Sequence, residues 1–170
     1  MVVRRATAED SGAIAEIHVR SWQAAYRGIV PPEFLDSLSV EQRQRVWRQR
    51  LEGGTSVTLV LEEQDKVLGW VSAGPSRDSD ALSPTSELVA IYVAPEHWRR
   101  GVGQRLWSDA EGQLRRAGFL EVTLWVLKEN AGALRFYRAI GFVVDPGIEK
   151  TVELGGAALI EIRLRKQLGA

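Results

Sequence analysis

The sequence predicts an α+β fold contained in one domain, and three observations carry that expectation. The front of the chain reads as a strand, helices and a hairpin; the back alternates strand, helix, strand, helix, strand; and 170 residues suit one domain with a core of its own. With 45% hydrophobic and 26% charged residues, the composition is that of an ordinary globular protein. No repeat, low-complexity tract or linker breaks the chain, so residues 1–170 are read as a single unit.

Taken in order, Val2 to Arg5 forms a short strand, and Thr7-Ala8-Glu9-Asp10 is a hydroxyl cap with an acid three residues on. The helix that follows carries Ile14, Ile17, Trp22 and Ala25 near helical spacing and ends around Tyr26-Arg27-Gly28. Pro31-Pro32 opens a second helical stretch through Leu38, because proline is tolerated in a first turn. Ser39 with Gln42 caps a polar helix that runs to Gly53-Gly54.

Thr55 to Leu61 and Lys66 to Gly74, around Glu-Glu-Gln-Asp, read as a hairpin. Pro75 to Ser86, rich in Ser, Asp and Pro, reads as a mobile loop. Glu87 to Val93 is a strong strand signal, Gly101 to Ala117 a helix closed by Gly118, and Leu120 to Leu127 another strand. Asn130 to Ile140 is a short helix, Phe142 to Val144 begins a strand, and Leu154-Gly155-Gly156-Ala157 is the turn between the last two strands.

Charge and composition exclude several function classes. Lys plus Arg equals Asp plus Glu at 22 each, so no global field would draw nucleic acid or an anionic membrane. With no cysteine there is no disulfide, no thiolate metal site and no Cys nucleophile. His18 has no partner histidine, so neither a metal nor catalysis is assigned to it, and no metal is expected. The opening MVVRRATAED lacks a signal-peptide core and no apolar run reaches the roughly 20 residues of a membrane span, which points to a cytoplasmic protein.

Two constellations carry chemistry. In Tyr92-Val93-Ala94-Pro95-Glu96-His97-Trp98-Arg99-Arg100-Gly101-Val102-Gly103-Gln104-Arg105-Leu106, a strand stops at a proline and a basic loop with two glycines leads into a helix. The unpaired N–H groups and partial positive charge of a helix start bind phosphate, and glycines let the backbone approach it. The run is too short for the dinucleotide Gly pattern and lacks the Lys-Ser/Thr of a nucleotide-hydrolysing loop; a plain strand–helix turn with a solvated basic face is the alternative. In the second, Asn130 caps a helix packed by Ala133, Leu134, Phe136 and Ile140, stopped by Gly141, and carrying Tyr137.

These two runs resemble the GCN5-related N-acetyltransferase superfamily: the first its acetyl-CoA pyrophosphate loop, Arg/Gln-x-x-Gly-x-Gly/Ala, the second its Asn…Phe-Tyr…Gly-Phe element, in the family's order and spacing. Trp98 stands where Arg or Gln is commonest, but backbone amides carry the pyrophosphate in that family. The resemblance implies a mixed, mostly antiparallel sheet of about seven strands, splayed between the fourth and fifth, with four to five helices on its two faces.

It also implies roles. Acetyl-CoA would be held by Ile91, Tyr92 and Val93 along the splayed strand, by Trp98, Arg99, Arg100, Gly101, Val102, Gly103 and Gln104 at the loop, and by Asn130 and Tyr137. Tyr137 would protonate the departing sulfur, and Glu87, at the place of the superfamily's glutamate base, would take the amine proton. Period-two alternation would put Glu87 on the face of Val89, Ile91 and Val93. Trp22, Tyr26 and Glu87 are the acceptor-side candidates, with core packing the alternative for the two rings. Glu33, Asp36 and Asp80 near that side would favour a cationic acceptor.

The function implied is acetyl transfer to a primary amine, a small molecule in preference to a protein N-terminus or lysine. The contrasting class is an acyl-CoA-binding sensor without turnover. Family habit allows a homodimer.

Overall fold

The computed structural model describes residues 1–54, 56–82 and 84–169; Thr55, at the start of the expected hairpin, and Ser83, in the expected loop, lie outside them. β1 is Val2–Arg5, and the Asp10 carboxylate then receives the Thr7 amide at 2.8 Å and two Arg4 nitrogens at 2.8 Å, which fixes the entry into helix α1, Ser11–Ala25. α2 (Pro32–Asp36) opens at proline, and α3 (Val40–Gly53) is capped by the Ser39 hydroxyl, which accepts from the Gln42 amide at 3.2 Å.

β2 (Val57–Glu63) and β3 (Lys66–Pro75) form the hairpin. Its turn is tighter than the sequence suggests: Gln64 and Asp65 alone turn the chain, both with positive φ, the shape that matches strand twist. β4 is Thr85–Val93, α4 Val102–Arg116, β5 Glu121–Leu127, α5 Ala131–Ala139, β6 Val143–Leu154 and β7 Ala157–Gln167.

The seven strands form one sheet in the order β1-β2-β3-β4-β5-β7-β6, antiparallel except for β4 against β5. That parallel pairing is short. Only Thr85, Ser86 and Glu87 pair with Glu121, Val122 and Thr123; beyond them the two strands no longer pair with each other, so the sheet opens into a gap. This is the expected splay between the fourth and fifth strands.

α4 and α5 cover one face, packing on Leu59, Leu61, Val71, Leu88, Leu124 and Leu164. α1 and α3 cover the other, over Val60, Trp70, Ala90 and Tyr92. One expectation fails here. β4 bulges where Ser72 pairs Ala90 but Ala73 pairs Leu88, leaving Val89 unpaired. The bulge breaks the alternation, so Ile91 and Val93 pack with Leu88 toward α4, while Glu87 shares the α1 face with Ala90 and Tyr92.

The loop from Ser76 to Pro84 is shorter than expected, because both flanking strands extend into it. Three of its described residues are tied down: Arg77 to Glu87, Asp78 to the Trp125 indole at 2.9 Å, and Asp80 to Arg163 at 2.7 and 2.8 Å. Such partners anchor the first part of the stretch read as mobile, from Arg77 to Asp80.

Candidate active site

The gap between β4 and β5 has a chemical edge. The Ala94 amide bonds back to the Leu68 carbonyl on β3 at 2.9 Å, so Tyr92 turns its backbone groups the same way, and Ile91 and Val93 turn theirs into the gap. The Val93 carbonyl is already taken twice, by the Ser21 hydroxyl at 3.0 Å and the Trp98 indole at 2.7 Å. Of the two expected backbone partners, Ile91 therefore offers both its groups and Val93 only its N–H.

At the end of the gap the chain crosses a Pro95–His97 turn and enters α4 through a tight bend. Arg99 and Gly101 both take left-handed backbone conformations, φ 60 and 79, the second as the helix cap. A Cβ on Gly101 would meet open space, whereas one on Gly103 would sit 3.1 Å from the Phe136 ring. The two glycines do different work. Gly101 permits the bend that presents the first amides of α4; Gly103 lets α5 lie close enough to set the neighbouring Tyr137. Trp98, 42% exposed, binds the end of β4 to this bend through its indole, a role the sequence does not disclose.

Asn130 caps α5 by accepting the Ala133 amide at 3.1 Å with Oδ1, which leaves its amide NH2 to donate. Tyr137, on α5, packs against Phe136 and Phe142. Burial, and then the nearby Tyr92 phenol, push its pKa up, so the hydroxyl keeps its proton at neutral pH.

On the opposite face the Trp22 indole donates to the Tyr92 hydroxyl at 2.8 Å, and Trp22 and Tyr26 meet edge to face with centroids 4.9 Å apart. Burial first, and then Tyr92, raise the Tyr26 pKa, and Tyr137 adds to the same shift. Three phenols from α1, β4 and α5 thus converge across the gap. Tyr92 is expected among the cofactor contacts through its place on the strand; its side chain lies on the α1 face, bonded to Trp22. Behind them His18 stacks on Tyr92 at 5.2 Å and accepts from the Trp47 indole at 3.3 Å. Burial, with Arg43 and Arg50 adding like charge, pushes its pKa down to about 3, so it is a neutral packing residue.

Glu87 is buried but not free. Arg77 donates to its two oxygens at 2.6 and 2.9 Å, with the Arg77 amide adding a third contact at 3.3 Å. Burial alone would raise the Glu87 pKa, but Arg77 outweighs it and holds the carboxyl below its ordinary range. That is the opposite of the tuning a base needs near pH 7. Asp80 is likewise spent on Arg163, and so gives no support to a cationic acceptor. Glu33 and Asp36 lie on α2, with Asp36 lining an open cavity of about 670 Å³ between the end of α1 and Ala157.

Residues the sequence gave no reason to select also stand here. Arg77 is one, Arg43 over the Trp22 ring another, and Glu161 on β7 a third, opposite Leu127 in the strand register. Only strand pairing and helix packing bring them near, and neither is written in local spacing.

Comparison with known proteins places the chain in a family. Residues 13–142 match the Acetyltransferase (GNAT) family. The uncharacterised N-acetyltransferase YuaI of Bacillus subtilis is 33% identical over 164 residues, 96% of this chain and 91% of that protein. The L-amino acid N-acyltransferase MnaT of Escherichia coli is 29% identical over 144 residues, 85% of this chain and 80% of that one. The structure of yncA from Salmonella typhimurium, solved with its cofactor acetyl-CoA, aligns with a TM-score of 0.74 at 27% identity over 100% of this chain and 95% of that one. A family match spanning most of the chain, joined to a sheet that opens after Glu87 beside a glycine-bent helix start, leads to one conclusion: the chain belongs to the acetyltransferase (GNAT) family and is an acyltransferase.

Proposed function

We propose that the chain transfers the acetyl group of acetyl-CoA to a small primary amine, by direct attack while both are bound. The observation that carries this is the continuity of three features: unpaired strand groups at Ile91 and Val93, the α4 entrance at Trp98–Gln104, and a protonated Tyr137 phenol beside the gap. The backbone of Ile91 and the Val93 N–H would hold the pantetheine arm as an added strand, with the Asn130 NH2 donating to it. Amides from Arg99 to Gln104 would receive the pyrophosphate, and Arg99 and Arg100 would add charge around it.

The thioester supplies an acyl carbon with a good leaving group. Attack forms a C–N bond and breaks the C–S bond; Tyr137 would donate to the departing sulfur and regain its proton from solvent. An alkylammonium costs about 4 kcal/mol to deprotonate near pH 7.4. With Glu87 held by Arg77, the amine proton passes to solvent rather than to that carboxylate, and Glu87 serves to anchor the loop at the mouth of the gap. Holding two reactants in one geometry supplies much of the remaining acceleration.

A small acceptor is favoured because Trp22, Tyr26, Phe34 and Tyr92 gather into one aromatic wall on its side of the gap. MnaT, the Escherichia coli relative, carries an acceptor of that size in its name. Titration calorimetry with acetyl-CoA, followed by thiol release across classes of amine, tests the proposal. Binding with turnover supports it; binding without turnover on any amine would leave a sensor, and no binding would end it.

A further inference from the structure

The acceptor side contains a cation without a partner. Lys150 pairs with Glu161 at 3.4 Å, Arg77 with Glu87, and Arg163 with Asp78, Asp80 and Asp145. The Arg43 side chain, half-buried on α3, makes no ion pair or hydrogen bond among the described residues. Its guanidinium lies 5.8 Å from the centroid of the Trp22 ring, the same ring whose indole N–H is bonded to Tyr92.

Stacking on an indole gives a guanidinium only modest stabilisation and leaves its five N–H donors unspent. Their planar fork matches a carboxylate. On the other side of these rings stands a carboxylate, paired with Lys150. Glu161 stands opposite Leu127, which packs with Trp22 and Tyr26, so Arg43 and Glu161 flank the phenols from α3 and from β7. Burial first raises the Tyr92 pKa; of the two charges, the guanidinium draws it down and the carboxylate raises it further.

The geometry points to an acceptor that is itself a carboxylate-bearing amine of the α-amino-acid type, with its carboxylate on Arg43 and its amine directed past Tyr26 and Tyr92 toward the gap. This rests on the acetyl-transfer reading and narrows its acceptor. The rings of Trp22, Tyr26 and Phe34 then form the wall that meets the acceptor's side chain.

The test is a set of L-amino acids, each with its carboxamide and its decarboxylated amine, assayed by thiol release and corrected for the fraction of neutral amine. The acids should exceed both analogues by about 10- to 100-fold in kcat/KM, the scale of a charge-assisted bond. Arg43→Gln should erase that ratio through KM while acetyl-CoA binding is unchanged, and Arg43→Lys should restore part of it. Analogues acetylated as well as the acids, or a ratio unmoved by Arg43→Gln, would overturn the assignment. Calorimetry of acid and carboxamide on the CoA-loaded protein reads the preference without turnover, so an enzyme inactive on every amine would count against acetyl transfer and leave the Arg43 preference decided by binding alone.

Discussion

Arg77 and Glu87 form a bidentate pair across the mouth of the β4–β5 gap, at 2.6 and 2.9 Å, although the Arg77 side chain is 68% exposed and that of Glu87 only 4%. The carboxylate is thus the buried member and depends on its partner. Arg77→Ala should lower stability by about 1–3 kcal/mol, with water replacing part of the lost contact. Glu87→Gln should reduce kcat less than about tenfold, against the 10²–10⁴ of a lost general base. Urea unfolding and steady-state rates on the two variants measure both; a loss of a thousandfold on a folded Glu87→Gln protein would restore Glu87 as the base.

Tyr137→Phe removes the hydroxyl proposed to protonate the sulfur but keeps the ring against Phe136 and Phe142. Turnover should fall by about 10²- to 10⁴-fold, with acetyl-CoA affinity within about twofold of the native value. Single-turnover rates together with calorimetry separate these effects. Unchanged turnover would take Tyr137 out of the mechanism.

The two glycines of the loop should respond differently. Gly101→Asp places a non-glycine residue at φ 79 and a negative charge beside the incoming diphosphate, so acetyl-CoA binding should weaken by at least about tenfold. Gly103→Ala pushes against the Phe136 ring 3.1 Å away, shifting α5, so kcat should fall more than affinity. Equal effects of both variants on Kd alone would contradict this division.

His18 should make the protein acid-sensitive well above the carboxylate range. Its folded pKa lies near 3 while an unfolded histidine titrates near 6.5, so between those values only the unfolded chain takes up the proton. Stability should fall by about 1.4 kcal/mol for each pH unit from 6.5 downward on its account. His18→Gln, which keeps an acceptor for the Trp47 indole, should flatten that part of the curve. Identical slopes in urea titrations of the two proteins would show that His18 is not the cause.

Much of this was legible in the sequence because it is written locally. Ser39 and Asn130 cap the helices their neighbours announce, and Leu154-Gly155-Gly156-Ala157 turns where expected. The acceptor side was harder to read. The unpaired Val89 has no signature of its own, yet it moves Glu87 to the other face of the sheet. Arg77, Arg43 and Glu161 acquire meaning only from partners on other elements, and Trp98 resembles a departure from the usual loop until its indole is seen on Val93.

The short ladder from Thr85 to Glu87 has a mechanical meaning. It works as a clasp joining two half-sheets that diverge beyond it, and a guest lying in the cleft would supply the missing rungs. Occupancy should then be felt far from the guest, as slower amide exchange along Ile91 and Val93 and along the facing Leu124–Leu127 edge, while the clasp itself stays unchanged.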